Sequence, residues 1–344
     1  MDEKWKELIA IGASVACNCH PCVKFHIDKA KKLNIELGLI QQAVQVGKTV
    51  RQGAAGQIDE LLETMFDTAN APSECAESRR EIVRKGYADI AEGKSGCCCG
   101  TADPAKLAEA VGYTQEELQS LPAGANMGLS CGNPTAIAGL KPGQIVLDLG
   151  SGGGFDVFIA AKKVGPQGKA IGVDMTPEML RKARAGMDEF ARKTGLNNVE
   201  FRLGEIEHLP VADSSIDVVI SNCVLNLSPD KPQVWREIAR VLKPGGKACI
   251  ADLALKRPLA EPLRASASAL ISCVAGAVLI EETVQMAKQA GLTLRQIEEK
   301  PSELDVVSDC NDPLYSQVKQ MLPKGTKLSD FIVSILITAE KEKL

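Results

Sequence analysis

Aromatic residues are scarce: seven Phe, three Tyr and two Trp make 3% of 344 residues. Platforms that stack nucleic-acid bases need aromatic faces. The formal charge is −4, so no basic field exists to hold a phosphate backbone. Nucleic acid is therefore not an expected partner. Long apolar runs are absent too. The weakly polar stretch from Ala265 to Ile280 is too short and too rich in Ala and Ser to span a bilayer. Met1 to Glu7 is charged and precedes only a short apolar run, which does not match a secretory leader. The expectation is a cytoplasmic protein with no membrane partner. Histidine is nearly missing, with only His20, His26 and His208. Zinc sites of the Cys2His2 kind have no matching spacing, and no obvious acid–base pair stands out.

Cysteine, by contrast, is abundant, with twelve residues. In a chain of cytosolic character such cysteines serve reactive or ligand-binding roles more often than structural disulfides. They fall in four groups: Cys17, Cys19 and Cys22; Cys75; the run Cys97, Cys98 and Cys99; and Cys131, Cys223, Cys249, Cys273 and Cys310 scattered beyond. The run of three between Gly96 and Gly100 is not a tetrahedral zinc spacing; it suits a soft ion or thiol–disulfide exchange.

The stretch from Gln144 to Asp156, QIVLDLGSGGGFD, organises the larger part of the chain. Ile145, Val146, Leu147 and Leu149 form a buried strand, and the glycines make a turn that lets a ligand approach the backbone in front of a helix. Asp174 closes a second apolar strand and suits the hydroxyls of a ribose. A dinucleotide fingerprint fails, because Phe155 stands where a third glycine or alanine is needed. Beyond Gln144, strands expected at 145–149, 170–173, 199–203, 216–221 and 247–252 alternate with helices at 155–164, 177–194 and 230–242. That alternation specifies an α/β fold with a parallel sheet. Strands are also expected from Leu292 to Glu299 and from Phe331 to Ala339, and a helix from Arg264 to Ala290.

The acidic-x-Gly-x-Gly-x-Gly pattern resembles motif I of the class I S-adenosylmethionine-dependent methyltransferases. The resemblance implies a Rossmann-like sheet and a cofactor site made by Asp148, Gly150, Ser151, Gly152, Asp174, Met175, Gly204, Glu205, Ile206 and Asn222. Gly204 to Ile206 would bracket the adenine.

Residues 1–70 look all-helical, with apolar stripes at Trp5, Leu8, Ile9 and Ile11 and at Leu37, Ile40, Val44 and Val46. Pro21 suits a first helical turn, so Cys19 falls near an N-cap, where the helix dipole favours a thiolate. Cys19, Cys22 and His26 share one helical face. With Glu7 and the segment VGKTVRQGAA from Val46 to Ala55, this region resembles the carboxymuconolactone decarboxylase and alkylhydroperoxidase D-like superfamily. The resemblance implies thiol–disulfide chemistry at Cys19 and Cys22, with Glu7 and His26 moving protons. It also makes a homo-oligomer through residues 1–70 an expectation.

Cys223 follows the fourth strand, where open α/β sheets bind substrates. Cys131 precedes the first strand, and Cys273 lies in the region that covers the pocket in this fold. The segments SCGNP, DLGSGGGFD, SNCVLNL and SCVAGA together resemble the arsenite S-adenosylmethionine methyltransferases over residues 79–344. The resemblance implies that Cys131, Cys223 and Cys273 bind trivalent arsenic, supplied as arsenite or methylarsenite. One of Cys97, Cys98 and Cys99 would join them in redox cycling with a thiol reductant such as glutathione or a thioredoxin-like protein. Soft arsenic prefers thiolates, and methyl transfer to its lone pair needs no general base, which fits the shortage of His. Two other readings stay open: a methyltransferase for a small organic acceptor such as a quinone, and a metalloid-binding sensor. The expected layout is a helical thiol domain at 1–70, a linker at 71–78, a methyltransferase core at 79–264 and a C-terminal α+β subdomain at 265–344.

Overall fold

The computed structural model describes residues 2–16, 20–48, 76–94, 104–130, 132–259, 270, 273–300, 322 and 326–343. Cys17, Cys19, Cys75, Cys97, Cys98, Cys99, Cys131 and Cys310 lie outside the described residues, as do most of the linker and the polar segment before residue 326. The chain divides into two compact units, Met1–Ser73 and Glu74–Leu344.

In the first unit, α1 (Glu3–Ala16) and α2 (His20–Lys32) pack together, and residues 37–48 form a third helix, α3. Leu8, Ile11, Ala30, Ile35 and Ile40 make a small core. Gly12 and Gly47 let α1 and α3 approach closely, since a Cβ at Gly47 would stand 2.4 Å from the Gly12 carbonyl oxygen. The apolar stripes split. Leu8 and Ile11 are buried, whereas Trp5, Ile9, Leu37 and Val46 are each more than half exposed. An α-helix presents only part of a wide apolar arc to one neighbour.

The second unit opens with α4 (Ala76–Ala91), α5 (Pro104–Ala110), α6 (Gln115–Gln119) and α7 (Pro134–Ala138). Seven strands follow: β1 (Ile145–Leu149), β2 (Lys169–Asp174), β3 (Val199–Leu203), β4 (Ile216–Asn222), β5 (Leu242–Leu255), β6 (Leu292–Lys300) and β7 (Ile332–Lys341). They form one sheet in the order β3-β2-β1-β4-β5-β7-β6. β1 to β5 pair in parallel, and β7 runs antiparallel to both β5 and β6. The strands read from the C-terminal third thus extend the main sheet as its edge.

Helices α8 (Phe155–Val164), α9 (Pro177–Thr194), α10 (Lys231–Val241) and α11 (Ile280–Gln289) connect and cover the strands. Local chemistry sets their ends. Pro177 and Pro232 occupy first-turn positions, Asp230 caps α10 by accepting from the Gln233 amide, and Gly195 ends α9 in the left-handed region. Two apolar layers sandwich the sheet, one centred on Trp235 and Ile238, the other on Phe158 and Phe190.

The helix expected from Arg264 to Ala290 is corrected: among its described residues only Leu270 and Ile280–Gln289 are helical. At residues 273–276 the backbone turns. Cys273 adopts φ +63°, and Gly276 lies so close to the Asn226 carbonyl that any side chain would collide with it.

Candidate active site

β1 and β4 are neighbours although β2 and β3 intervene in sequence, and the crevice at such a switch point is where this class of sheet binds ligands. A cleft with about 1020 Å³ of empty space, its mouth included, opens there. Asp148, Gly150, Ser151, Gly152, Asp174, Met175, Gly204, Ile206 and Asn222 all line it, together with Cys223. Glu205 is not among the lining residues; it faces Arg80 at 3.5 Å, and Glu207 takes its place in the wall.

The glycine loop is shaped by positive φ angles at Gly150, Gly152 and Gly154. Its amides are fixed from β2: Ser151 N–H donates to the Val173 carbonyl, and Gly152 N–H donates to Asp174 Oδ2 at 2.9 Å. The other Asp174 oxygen accepts from the Thr176 amide at 2.7 Å. Burial still raises the Asp174 pKa above its usual value against the pull of these two donors. Asp148 is raised well above the usual carboxylate range, first by burial and then by the charges of Asp156 and Asp174. The Ser151 hydroxyl is buried and has no hydrogen-bond partner. An orphaned hydroxyl in a glycine-lined cleft with carboxylates at two strand ends fits S-adenosylmethionine, which brings a ribose, an ammonium group and a sulfonium.

Sequence reasoning missed a polar knot beside this loop. Tyr113 O–H donates to Asp156 Oδ1 at 2.7 Å, and Asn222 Nδ2 donates to the Gly132 carbonyl at 2.8 Å and approaches Asp156 Oδ2 at 3.2 Å. Burial pushes Asp156 up to about 6, although Tyr113 and Asn222 both hold its charged form. No sequence spacing links residues 113, 156 and 222, so no local signal existed.

The second cluster is made of cysteines. Cys223 sits just past β4 with φ +56°, and Cys273 has φ +63°; both occupy the left-handed region that non-glycine residues rarely adopt. Both are buried, and the Cys273 thiol donates to the Cys223 carbonyl oxygen at 2.9 Å. The Cys223 and Cys273 sulfurs and one Asp252 carboxylate oxygen all lie within 4.8 Å of one another. Asp252 was not singled out from the sequence, yet its place at the end of the expected fifth strand was the available signal. Burial pushes Asp252 up to about 6, opposed chiefly by the Leu253 and Asn226 amides. Burial also lowers Lys231, to about 8. Cys223 is disulfide-bonded, whereas Cys273 is not part of a disulfide. Cys249 is buried inside β5, and desolvation pushes its thiol up to about 11, which makes it inert.

In the first unit, Glu7 and His26 lie together: His26 Nδ1 is 2.8 Å from Glu7 Oε2. Lys29, which the sequence did not mark, donates to the other Glu7 oxygen at 2.7 Å. Lys29 and then His26 hold the Glu7 carboxyl below its usual range. Cys22, on α2 with His26, is disulfide-bonded.

The sheet order, the glycine loop and the buried Asp174 define a class I S-adenosylmethionine-dependent methyltransferase. A methyltransferase-domain family model matches residues 140–291, and the carboxymuconolactone decarboxylase family matches residues 1–53. An arsenite methyltransferase of Halobacterium salinarum is 42% identical over 278 residues, which cover 77% of this chain and 67% of that protein. One from Aquipseudomonas alcaligenes is 40% identical over 230 residues, 64% of each chain. The chain spans about two thirds of the length of these two relatives. The crystal structure of an arsenic(III) S-adenosylmethionine methyltransferase from Chlamydomonas reinhardtii is 34% identical, with a TM-score of 0.50, covering 71% of this chain and 75% of that one. The chain belongs to the arsenite methyltransferase family.

Proposed function

We propose that this chain methylates trivalent arsenic held by its own thiols. One observation carries the reading: Cys223 and Cys273, 50 residues apart, meet with buried sulfurs at the end of β4, and Cys223 lines the cofactor cleft. S-adenosylmethionine supplies an electrophilic methyl on a sulfonium. The residues proposed to hold it are Asp148, Gly150, Ser151, Gly152, Asp174, Met175, Gly204, Ile206 and Asn222, with Glu205 acting from outside the wall through Arg80. Asp174 suits the ribose hydroxyls, and the glycine-loop backbone suits the methionine moiety.

The substrate is captured by ligand exchange. Each thiol forms an S–As bond while an As–OH bond breaks, and the thiol proton leaves with the hydroxide as water. Thiolates are the soft donors that arsenic prefers. Transfer then forms an As–C bond from the arsenic lone pair while the sulfonium S–C bond breaks. No general base is needed, so the chain contributes position and exclusion of water. Arsenic becomes formally pentavalent, and two thiols return two electrons as they leave in a disulfide. Cys131 is proposed as a further thiol of this cycle, with one of Cys97, Cys98 and Cys99. An external dithiol or glutathione must reduce the resulting disulfide before the next capture.

The first unit is proposed to relay those reducing equivalents through Cys19 and Cys22, with Glu7 and His26 moving the proton. Its exposed Trp5, Phe25 and Val46, each about 60% exposed, support self-association through residues 1–70. A cytoplasmic location and a role in arsenic detoxification belong to the same proposal. The test is stoichiometric: the reduced chain should bind one arsenite in the second unit, and Cys273→Ser should abolish that binding while cofactor affinity stays unchanged. Arsenite binding that survives in Cys273→Ser would defeat the reading.

A further inference from the structure

Methyl transfer to arsenic moves a positive charge. The sulfonium loses its S–C bond and becomes an uncharged thioether. The arsenic lone pair forms the As–C bond. Arsenic held by Cys223, Cys273 and the proposed third thiol of Cys131 is uncharged before the step and an arsonium cation after it. No proton moves. The thiolates cannot answer that charge, because their own is already shared in the As–S bonds. In a buried site a fixed counter-charge placed where the cation develops lowers the barrier.

The structure holds such a charge beside the sulfurs. One Asp252 oxygen and the Cys223 and Cys273 sulfurs lie within 4.8 Å of one another. The carboxylate is buried and fixed in advance by several donors. Oδ1 accepts from Asn226 Nδ2 at 2.7 Å and from the Leu253 amide at 2.8 Å, Oδ2 accepts from the Asn226 amide at 3.3 Å, and the Leu225 amide donates as well. Asn226 Nδ2 also donates to the Leu253 carbonyl at 2.6 Å, which holds the donor itself in place. These donors favour the ionised carboxylate. Lys231 adds its charge nearby, while its ammonium donates to the Ser228 carbonyl at 3.0 Å. Asp252 is not among the residues lining the cofactor cleft, where the acids are Asp148, Asp156, Asp174 and Glu207. It therefore acts on arsenic more than on the sulfonium, and only such a difference accelerates the step. We infer that Asp252 stabilises the arsonium charge that develops during methyl transfer, and that Lys231, of like sign to that charge, opposes it. This rests on the function proposed above and concerns the rate of transfer, not the capture of arsenite.

Single-turnover transfer tests this. Full-length protein is reduced with excess dithiol, loaded with arsenite and mixed with labelled S-adenosylmethionine, and methylated arsenic is followed in time by rapid quenching. Asp252→Asn keeps the shape and removes the charge. Its transfer rate should fall by about tenfold to a hundredfold, with arsenite and cofactor affinities at their wild-type values. Asp252→Glu should recover part of the rate. Lys231→Met should raise the rate by about two- to fivefold, a change that damage to the fold cannot produce, so it decides the matter even where Asp252→Asn does not fold. A wild-type rate in Asp252→Asn, or an unchanged or lower rate in Lys231→Met, would overturn the inference. Loss of arsenite binding in Asp252→Asn with cofactor binding retained would overturn it too, because Asp252 would then organise the thiols instead. A wild type that transfers no methyl to arsenite would defeat the proposed function itself and the inference with it.

Discussion

Gly150→Ala is the most informative single change to the cofactor loop. Gly150 holds φ +65°, and a Cβ there would stand 2.1 Å from Val224 Cγ2 and 2.8 Å from Val224 Cβ. A left-handed backbone costs an alanine roughly 1–2 kcal/mol, and forcing a methyl into packed neighbours costs roughly 1–3 kcal/mol more. The sum, about 2–5 kcal/mol, is shared between a displaced loop and lost stability. Val224 follows Cys223, so the displacement reaches the thiol site as well. Calorimetric titration with S-adenosylmethionine should show a cofactor affinity reduced by on the order of thirtyfold or more, with a lowered melting temperature taking up the rest. Adding Val224→Ala removes the 2.1 Å contact but leaves the φ strain, so affinity should return only in part. Wild-type affinity and melting temperature in Gly150→Ala would refute the packing argument. Full recovery in the double variant would refute the strain argument.

Three further outcomes are expected. Burial raises the Asp156 pKa from 3.8 to about 6, so the native state binds this proton more tightly than the unfolded chain does. Its contribution to stability is therefore present below pH 3.8 and is lost as pH rises to about 6, a change of about 3 kcal/mol. Urea titrations should show Asp156→Asn, which cannot titrate, gaining stability on the wild type across that window; parallel profiles would contradict it. Lys29→Met removes the main group holding the Glu7 carboxyl down, so the pH dependence of reducing the Cys22 disulfide should move to higher pH, and an unmoved profile would separate Glu7 from that chemistry. Removing residues 1–70 should slow turnover driven by a limiting dithiol; unchanged turnover would detach the helical module from the cycle.

The core strands were legible because parallel strands buried on both faces read as short apolar runs, and Ile145–Leu149 is one. The glycine loop announced its conformation through residue type, and Asp174 announced its position through strand length. The thiol pair was legible only in part: Cys223 follows a strand, but Cys273 was read as helical and instead turns with φ +63° against Asn226. A run of Ala, Ser and Val has no period that distinguishes a buried turn from a helix. Tyr113 and Asp156 carried no signal of their own, and Asp252 only its place at a strand end. Each acts through a partner distant in sequence, as Tyr113 does 43 residues from Asp156. Lys29 was hidden for a similar reason, since a lysine on a helix face is ordinarily solvated and only the 2.7 Å contact with buried Glu7 shows otherwise.

The central claim is that Cys223 and Cys273 present trivalent arsenic to a methyl group bound over the glycine loop. It is tested most directly by following methyl transfer from labelled S-adenosylmethionine to arsenite, with dithiol present, in the wild type, Cys223→Ser and Cys273→Ser. Methylated arsenic from the wild type and none from either variant, all three binding the cofactor equally, is the predicted result. Methylated arsenic from either serine variant at the wild-type rate would contradict the account.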